Sequence, residues 1–125
     1  GKLMSFRVLV VDDNQVNRLL VITHLKKVGW EISELDHGEA VIPWLMEHMI
    51  DVMLLDISMP GLSGEEVCRL LRQHPQLCHT KIIAYTAHAL ADEHDRIMAA
   101  GFDDILTKPI SKAELFAVLE RVLAH

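Results

Sequence analysis

The sequence predicts an α/β fold with a five-stranded parallel sheet and helices on both of its faces. Five short apolar segments alternate with segments of helical spacing along the 125 residues, and parallel strands require crossover connections of this kind. The run DVMLLD, residues 51–56, lacks polar alternation, as expected for a strand covered by helices on both sides. Polar residues follow the apolar segments, and in such a sheet these positions share one edge.

The first strand and the first helix are predicted between residues 6 and 29. FRVLVV, residues 6–11, is a compact run rich in β-branched residues and is closed by two acids. The helix after it is predicted from apolar residues at helical spacing, namely Val16, Leu19 and Leu20. Gly29 marks its end.

An edge strand and a second helix are predicted next. EISELD, residues 31–36, alternates apolar and acidic residues imperfectly, which is typical of a short, partly exposed strand. The second helix is predicted from four residues on one helical face: Val41, Leu45, His48 and Met49. Pro43 is expected to delay or kink this helix, because proline donates no backbone hydrogen bond.

The central strand DVMLLD precedes a helix that is predicted to end near Pro75. Apolar residues at helical spacing indicate it: Val67, Leu70 and Leu71. KIIAYTA, residues 81–87, supplies the fourth strand. A fourth helix is expected over residues 91–100, ending at Gly101 with a left-handed cap.

The last strand and helix complete the alternation. DDILTKP, residues 103–109, is the fifth strand, and Ser111 is predicted to cap the final helix. The apolar stripe of that helix comprises Leu115, Val118, Leu119, Val122 and Leu123.

Composition excludes several classes of function. We assign residues 6–125 to a single domain and residues 1–5 to a linker or a cloning remnant. A formal net charge of −6 without a basic cluster argues against a direct nucleic-acid partner. The apolar runs are too short for a membrane span or a secretory signal, so we expect a cytoplasmic domain without membrane contact. Cys68 and Cys78 are too few for a disulfide framework and indicate a reducing compartment.

The polar residues that follow four of the strands form a candidate site. Asp12 and Asp13 end the first strand, Asp56 ends the third, Thr86 ends the fourth and Lys108 ends the fifth. Since the carboxyl ends of parallel strands meet at one edge, three acids, a hydroxyl and an ammonium group are expected there. Clustered carboxylates repel one another, and a divalent cation removes that repulsion.

Oxygen ligands of this kind are those that Mg²⁺ prefers in proteins. We expect Asp13 and Asp56 to be direct Mg²⁺ ligands and Asp12 to reach the ion through water. The backbone carbonyl of Ser58 is expected to complete the ligands that the protein supplies.

The chemistry predicted at this edge is attack of a carboxylate on phosphorus. An ionised Asp56 beside a cation can attack a phosphoryl group, while Lys108 and the Thr86 hydroxyl stabilise its oxygens. Pro60 and Gly61 bend the chain away and leave the carboxylate open to a donor. The product is an acyl phosphate on Asp56.

Four successive motifs resemble those of the response-regulator receiver domain of two-component signalling: VVDDNQVNR, LLDISMPGLSG, AYTAHA and DDILTKPI. The resemblance covers nearly the whole chain. It implies a flavodoxin-like fold with strand order 2-1-3-4-5 and Asp56 as the phosphoacceptor. It further implies Asp12 and Asp13 as the acidic pair, Thr86 as the switch residue and Lys108 as the phosphate-binding residue.

The resemblance also implies a cofactor and a partner. The cofactor is Mg²⁺, and the phosphoryl group comes from a histidine on a histidine kinase or on a histidine-phosphotransfer domain. Asn14, Asn17 and Arg18 make the chain most similar to receivers of hybrid sensor histidine kinases, which leaves a membrane-anchored parent chain open. The domain itself is not expected to turn over an external substrate.

One position departs from the family pattern. Ile105 stands where the family usually has Tyr or Phe, three residues before the lysine, and a readout that depends on a rotating aromatic is therefore in doubt. Tyr85 is next to Thr86, but neighbouring residues of a strand face opposite ways, so Tyr85 does not replace the missing aromatic. His88, two residues after Thr86, is interpreted as a loop histidine.

Three alternatives belong to other functional classes. A phosphohydrolase with an aspartyl nucleophile commonly needs a second acid two residues later, where this chain has Ser58. A pseudo-receiver would dock partners without carrying phosphate, and the intact set of acids, threonine and lysine argues against it. A nucleotide-binding oxidoreductase is disfavoured because no glycine-rich fingerprint follows the first strand.

Overall fold

The computed structural model describes residues 5–87 and 91–124. Residues 1–4, 88–90 and 125 lie outside the described residues, and the predicted loop histidine, His88, is among them. Five parallel strands form one sheet in the order β2-β1-β3-β4-β5. The strands are β1 (Arg7–Val11), β2 (Glu31–Leu35), β3 (Val52–Asp56), β4 (Ile82–Thr86) and β5 (Asp104–Thr107). The predicted fold class and strand order are confirmed.

Helices cover both faces of the sheet. They are α1 (Gln15–Lys26), α2 (Val41–Leu45), α3 (Gly64–Gln73), α4 (Ala91–Ala99) and α5 (Lys112–Leu123), with a 3-10 turn at Gly38–Ala40. Helices α2, α3 and α4 share one apolar core with the sheet, and α1 and α5 share another. Among the helices that the structure describes, none combines the length and apolarity needed to cross a membrane.

Strand β3 is the centre of the sheet, and all five of its residues are buried. Met53 and Leu55 face the core with α2, α3 and α4, whereas Leu54 faces the core with α1 and α5. Strand β2 lies at an edge and is only partly buried. Both predictions, a central strand at residues 51–56 and an edge strand at residues 31–36, are confirmed.

Helix α1 forms where it was predicted, but the apolar residues that indicated it lie on its outer face. Their exposed fractions are 65% for Val16, 59% for Leu19 and 41% for Leu20. The buried face consists of Val21, Ile22 and Leu25. Helical periodicity identified the helix, but it did not identify the face that meets the sheet.

The prediction for α2 is wrong beyond Leu45. The helix ends there, and His48 and Met49 lie outside it, with Met49 80% exposed. The imidazole ring of His48 stacks on the Trp44 ring. His48 Nδ1 lies 2.8 Å from the Trp44 carbonyl oxygen, so the histidine contacts a carbonyl group in the last turn of the helix. Pro43 is accommodated because it lies in the first helical turn, where backbone N–H groups have no partner within the helix.

The predicted ends of the other helices agree with the structure. Ser111 caps α5 by accepting a hydrogen bond from the Glu114 backbone N–H at 3.1 Å, and Gly101 after α4 has a positive φ of 115°. Leu70 of α3 is 44% exposed, so it lies outside the buried stripe of that helix.

The turn between β3 and α3 packs directly against the end of the central strand. Gly61 has a φ of 77°, which favours glycine. A Cβ on Gly64 would clash with the carbonyl oxygen of Asp56 and lie 2.9 Å from Ile57 Cα. The Gly64 N–H donates to the Ile57 carbonyl at 3.1 Å. Helix α3 therefore begins in contact with the backbone that carries Asp56.

We expect Gly64→Ala to lower the free energy of unfolding by about 1–3 kcal/mol, because the added methyl group overpacks the strand end. It should also shift the amide resonance of Asp56. Gly29→Ala is the control, since Gly29 has a positive φ but open space around its Cβ position; it should strain the backbone without moving the Asp56 signal. Urea denaturation and amide spectra measure both effects, and a Gly64→Ala variant as stable as wild type would contradict the packing.

Candidate functional site

Two buried carboxylates share one ammonium group at the carboxyl edge of the sheet. Asp12 follows β1 and is 0% exposed, and Asp56 ends β3 and is 2% exposed. Lys108 Nζ lies 3.1 Å from Asp12 Oδ2 and 3.2 Å from Asp56 Oδ1. The three residues come from separate strand ends, so the sheet itself brings them together.

The loop that carries the acidic pair is held by hydrogen bonds from α1. Asn14 donates its backbone N–H to Asp12 Oδ1 at 2.8 Å, and its side chain caps the helix by accepting from the Asn17 N–H at 3.1 Å. Arg18 donates to the Asp12 backbone carbonyl at 2.7 Å and to Glu34 Oε1 at 2.7 Å. These contacts orient Asp12, and sequence reasoning had assigned them no role in the site.

The Asp56 carboxylate accepts one further hydrogen bond, from the backbone N–H of Ser58 at 3.2 Å. Ser58 itself is exposed. The contact between Ser58 and Asp56 is thus made by the Ser58 backbone N–H. The role of the Ser58 carbonyl as a metal ligand stays a prediction.

Burial raises the pKa of Asp56 to about 6, and the neighbouring charge of Asp12 adds to that rise. The Lys108 ammonium and the Ser58 N–H oppose the rise because they favour the ionised form. At neutral pH most of Asp56 is therefore ionised.

The acidic cluster fits a hard divalent cation. Ligand oxygens of Asp12, Asp13 and Asp56 all lie within 4.8 Å of one another, and Asp13 is exposed. Asp12 Oδ2 is buried and has no hydrogen-bond partner among the described residues, its contact with Lys108 being an ion pair. Oxygen donors without a soft ligand suit Mg²⁺.

Thr86 and Lys108 are linked through the backbone. Thr86 ends β4 and is 3% exposed, and the Lys108 N–H donates to its carbonyl oxygen at 2.7 Å. The two predicted phosphate-binding residues thus lie on adjacent strand ends.

Sequence reasoning missed a contact of Tyr85. Lys108 Nζ lies 4.8 Å from the centroid of the Tyr85 ring, and the ring is fully buried. Burial raises the pKa of the phenol to about 12, with Asp12 and Asp56 adding to the effect. The strand order implied by the resemblance, with the fourth strand beside the fifth, was a sequence signal that could have indicated this contact. In the structure, Tyr85 pairs with Leu106, two residues before the lysine.

Ile105 and Tyr85 lie on opposite faces of the sheet. Ile105 pairs with Ala84 and packs, partly buried, against the core with α2, α3 and α4. Tyr85 belongs to the core with α1 and α5. Tyr85 therefore lies on the face of the sheet opposite to the position of the missing aromatic, and its lack of a role in the readout stays a prediction.

Comparison with known protein families gives one match over most of the chain. The response regulator receiver domain family matches residues 8–120. The sensor histidine kinase GacS of Pseudomonas protegens is 38% identical over 116 residues, covering 90% of this chain and 13% of that protein. The virulence sensor protein BvgS of Bordetella pertussis is 40% identical over 127 residues, covering 98% of this chain and 10% of that protein. The chain therefore spans only a small part of the relatives it matches.

Solved structures with the same fold include receiver domains. That of sensor histidine kinase PA1611 from Pseudomonas aeruginosa, with a magnesium ion coordinated in its active site cleft, is 29% identical with a TM-score of 0.88, covering 98% of this chain and 100% of that chain. The chemotaxis protein CheY4 of Vibrio cholerae is 28% identical with a TM-score of 0.88, covering 96% and 100%.

The raised pKa of Asp56 predicts how pH changes the stability of the metal-free protein. The pKa of Asp56 is about 6 in the folded state against an ordinary value of 3.8, so the folded protein binds the Asp56 proton more tightly than the unfolded chain does. This proton stabilises the fold fully below pH 3.8, and its contribution is lost as pH rises through 6. Asp56→Asn removes this loss. In chelator at neutral pH we expect the variant to be more stable than wild type, by up to about 3 kcal/mol.

Urea denaturation between pH 4 and pH 8 measures the difference. The control is Asp95→Asn, since the Asp95 side chain is 93% exposed; it should follow the wild-type profile. Parallel profiles for Asp56→Asn and wild type would refute the raised pKa.

Proposed function

The chain belongs to the response regulator receiver domain family, and on that premise we propose that Asp56 accepts a phosphoryl group from a phosphohistidine. Receiver domains are the phosphoacceptors of two-component phosphorelays. The observation that carries the assignment to Asp56 is its position: a buried carboxylate at the end of the central strand, 3.2 Å from the Lys108 ammonium group. The family membership rests on the match over residues 8–120.

The proposed reaction transfers the phosphoryl group between two side chains. An ionised Asp56 oxygen attacks phosphorus, a P–O bond forms, and the P–N bond to the donor histidine breaks. The bond electrons remain on the imidazole nitrogen, and the product on this chain is an aspartyl phosphate. A pKa of about 6 supports the role of Asp56, because the attacking form predominates at neutral pH.

The residues around Asp56 would take up the added charge. Lys108 is already paired with Asp56 and is positioned to neutralise a phosphoryl oxygen. Thr86 would contribute its hydroxyl, and its backbone is tied to that of Lys108. The Ser58 N–H, which donates to Asp56, is a further candidate to orient the attacking carboxylate.

We assign Asp13 and Asp56 as direct Mg²⁺ ligands, Asp12 as a ligand through water and the Ser58 carbonyl as the remaining protein ligand. Both oxygens of Asp12 are already engaged, one by the Asn14 N–H and one by Lys108, which supports an indirect role. Mg²⁺, when bound, neutralises the clustered carboxylates and the oxygens of the incoming phosphoryl group.

The outer face of α1 offers a contact surface for a protein partner that carries the phosphohistidine. Val16, Leu19 and Leu20 are exposed on the helix that starts three residues after Asp12. Exposed apolar residues grouped beside a reactive site are typical of protein contact surfaces. A histidine kinase or a histidine-phosphotransfer domain would cover this face while its histidine approaches Asp56.

We further propose that the chain is the receiver of a hybrid sensor kinase and operates in the cytoplasm. The relatives named above are a sensor histidine kinase and a virulence sensor, of which the chain matches 13% and 10%. The motif around Asn14, Asn17 and Arg18 supports this assignment. Catalytic turnover would then belong to other parts of the parent protein.

Two other functions are less well supported. A phosphohydrolase lacks its second acid, because Ser58 stands two residues after Asp56. A pseudo-receiver would not need two buried carboxylates around one half-buried lysine, since burying charges is costly.

Mg²⁺ should bind with millimolar-scale affinity, and Asp13→Asn should weaken binding more than Asp12→Asn, because a direct ligand is lost in the first case and a water-mediated one in the second. Chemical-shift titration of the aspartate amides measures both affinities. Asp95→Asn is the control and should leave binding unchanged. Equal losses in the two site variants would refute the distinction, and unchanged resonances with metal would refute the site.

Phosphorylation should require both Asp56 and the metal. A phosphohistidine donor carrying a labelled phosphoryl group should label wild type and Asp95→Asn in magnesium, but neither Asp56→Asn nor wild type in chelator. Lys108→Ala should be labelled more slowly, by at least about tenfold, because one charge-stabilising group is lost.

Intact mass and sensitivity of the label to hydroxylamine identify the product as an acyl phosphate. Label on Asp56→Asn equal to that on wild type would assign the phosphoacceptor elsewhere. Transfer that is indifferent to chelator would refute the metal requirement, and a wild type that never takes up label would support a pseudo-receiver.

A further inference from the structure

We propose that Tyr85 is a positioning residue whose ring face holds the Lys108 ammonium group between Asp12 and Asp56. The inference rests on the proposed function of Asp56 and extends it to a residue in the adjacent strand. It concerns the aromatic ring and not the hydroxyl group.

The contact is built into the sheet. Tyr85 pairs in register with Asp56 across β3 and β4, and Lys108 Nζ lies 4.8 Å from its ring centroid. The same nitrogen lies 3.1 Å from Asp12 and 3.2 Å from Asp56. An ammonium group within about 6 Å of an aromatic face is attracted by the electrons of the ring, and the attraction grows when water is excluded.

The hydroxyl group of Tyr85 does not explain the presence of a tyrosine here. It is buried without a hydrogen-bond partner among the described residues, which destabilises the fold. The raised pKa keeps the phenol neutral, so the interaction with Lys108 is not an ion pair. The ring is the part of this side chain that meets the charge.

The ring restricts where the lysine can go. The Lys108 side chain is 17% exposed, and its flexible stem would otherwise let the ammonium group move toward solvent or settle on one carboxylate. Apolar neighbours in the core with α1 and α5 pack around the ring and keep it in place. Tyr85 thereby presents the charge to Asp56 in the geometry that phosphoryl transfer requires.

The first readout needs no phosphorylation. A methylene group beside an aromatic face resonates upfield, so the ε-methylene protons of Lys108 should be shifted upfield in wild type and in Tyr85→Phe. The shift should disappear in Tyr85→Leu, which keeps an apolar side chain without a ring. Ile83→Ala is the matched control, because Ile83 lies on the same strand and in the same core; it should retain the shift. An unchanged Lys108 signal in Tyr85→Leu would overturn the proposal.

The second readout is a double-mutant cycle on the rate of aspartyl phosphorylation in magnesium. Tyr85→Leu should be about five- to tenfold slower than Ile83→Ala, and Tyr85→Phe should restore the wild-type rate. In the Lys108→Ala background, Tyr85→Leu should cause no further loss, because the group it positions is absent.

The outcomes separate the two proposals. Equal rates for Tyr85→Leu and Ile83→Ala, or a full Tyr85 effect without Lys108, would refute the positioning role while leaving Asp56 as the phosphoacceptor. A wild type that takes up no phosphoryl group would refute the proposed function, and the Lys108 resonance would still decide whether the ring holds the ammonium group.

Discussion

The ammonium group of Lys108, shared by two buried carboxylates, is the interaction on which the site depends. Asp12 and Asp56 are almost fully buried, and two negative charges so close together in a poorly hydrated space would repel strongly. Burial raises the pKa of Asp56 to about 6 and the charge of Asp12 adds to that rise, so the one ammonium group offsets these effects only in part. The remaining negative charge destabilises the metal-free fold and at the same time attracts a cation.

Side-chain contacts also tie together the opposite edge of the sheet, where the chain enters β4 and β5. Arg72 of α3 donates hydrogen bonds to the carbonyl oxygens of Cys78 and Thr80, just before β4, and of Gly101, before β5. It also forms an ion pair with Asp103 at 3.0 Å. A single guanidinium group therefore links the loops that enter the two strands carrying Thr86 and Lys108. At the site edge, Arg18 links the loop after β1 to Glu34 of β2.

The distribution of exposure across the site matches its chemistry. Asp12 lies inside and is engaged by Lys108 and Asn14, whereas Asp13 is exposed at the rim. The turn after Asp56 packs closely on the strand end, because the Cβ position of Gly64 lies against the Asp56 backbone. Asp13 is therefore the acid of this cluster that is open to solvent.

The sequence by itself determined the fold class, the strand order through family resemblance, and the polar residues that meet at one edge. These follow from local apolar patterns and from the rule that parallel strand ends coincide. It did not determine which face of α1 is buried, because Val16, Leu19 and Leu20 share helical spacing with the residues that pack. The sequence pattern also predicted that α2 continues to Met49, whereas the helix ends at Leu45. Periodicity carries no information on where the chain must turn toward β3.

Only the tertiary structure decided how the site residues meet. The contact of Lys108 with the Tyr85 ring joins two residues that are far apart in the chain. Arg18 and Asp12 share the motif VVDDNQVNR, but the motif alone does not show which backbone group the guanidinium binds. Such contacts depend on sheet register and on the direction of each side chain, and a linear pattern specifies neither. The sequence therefore identified the charges of the site, and the packing of the sheet set their distances.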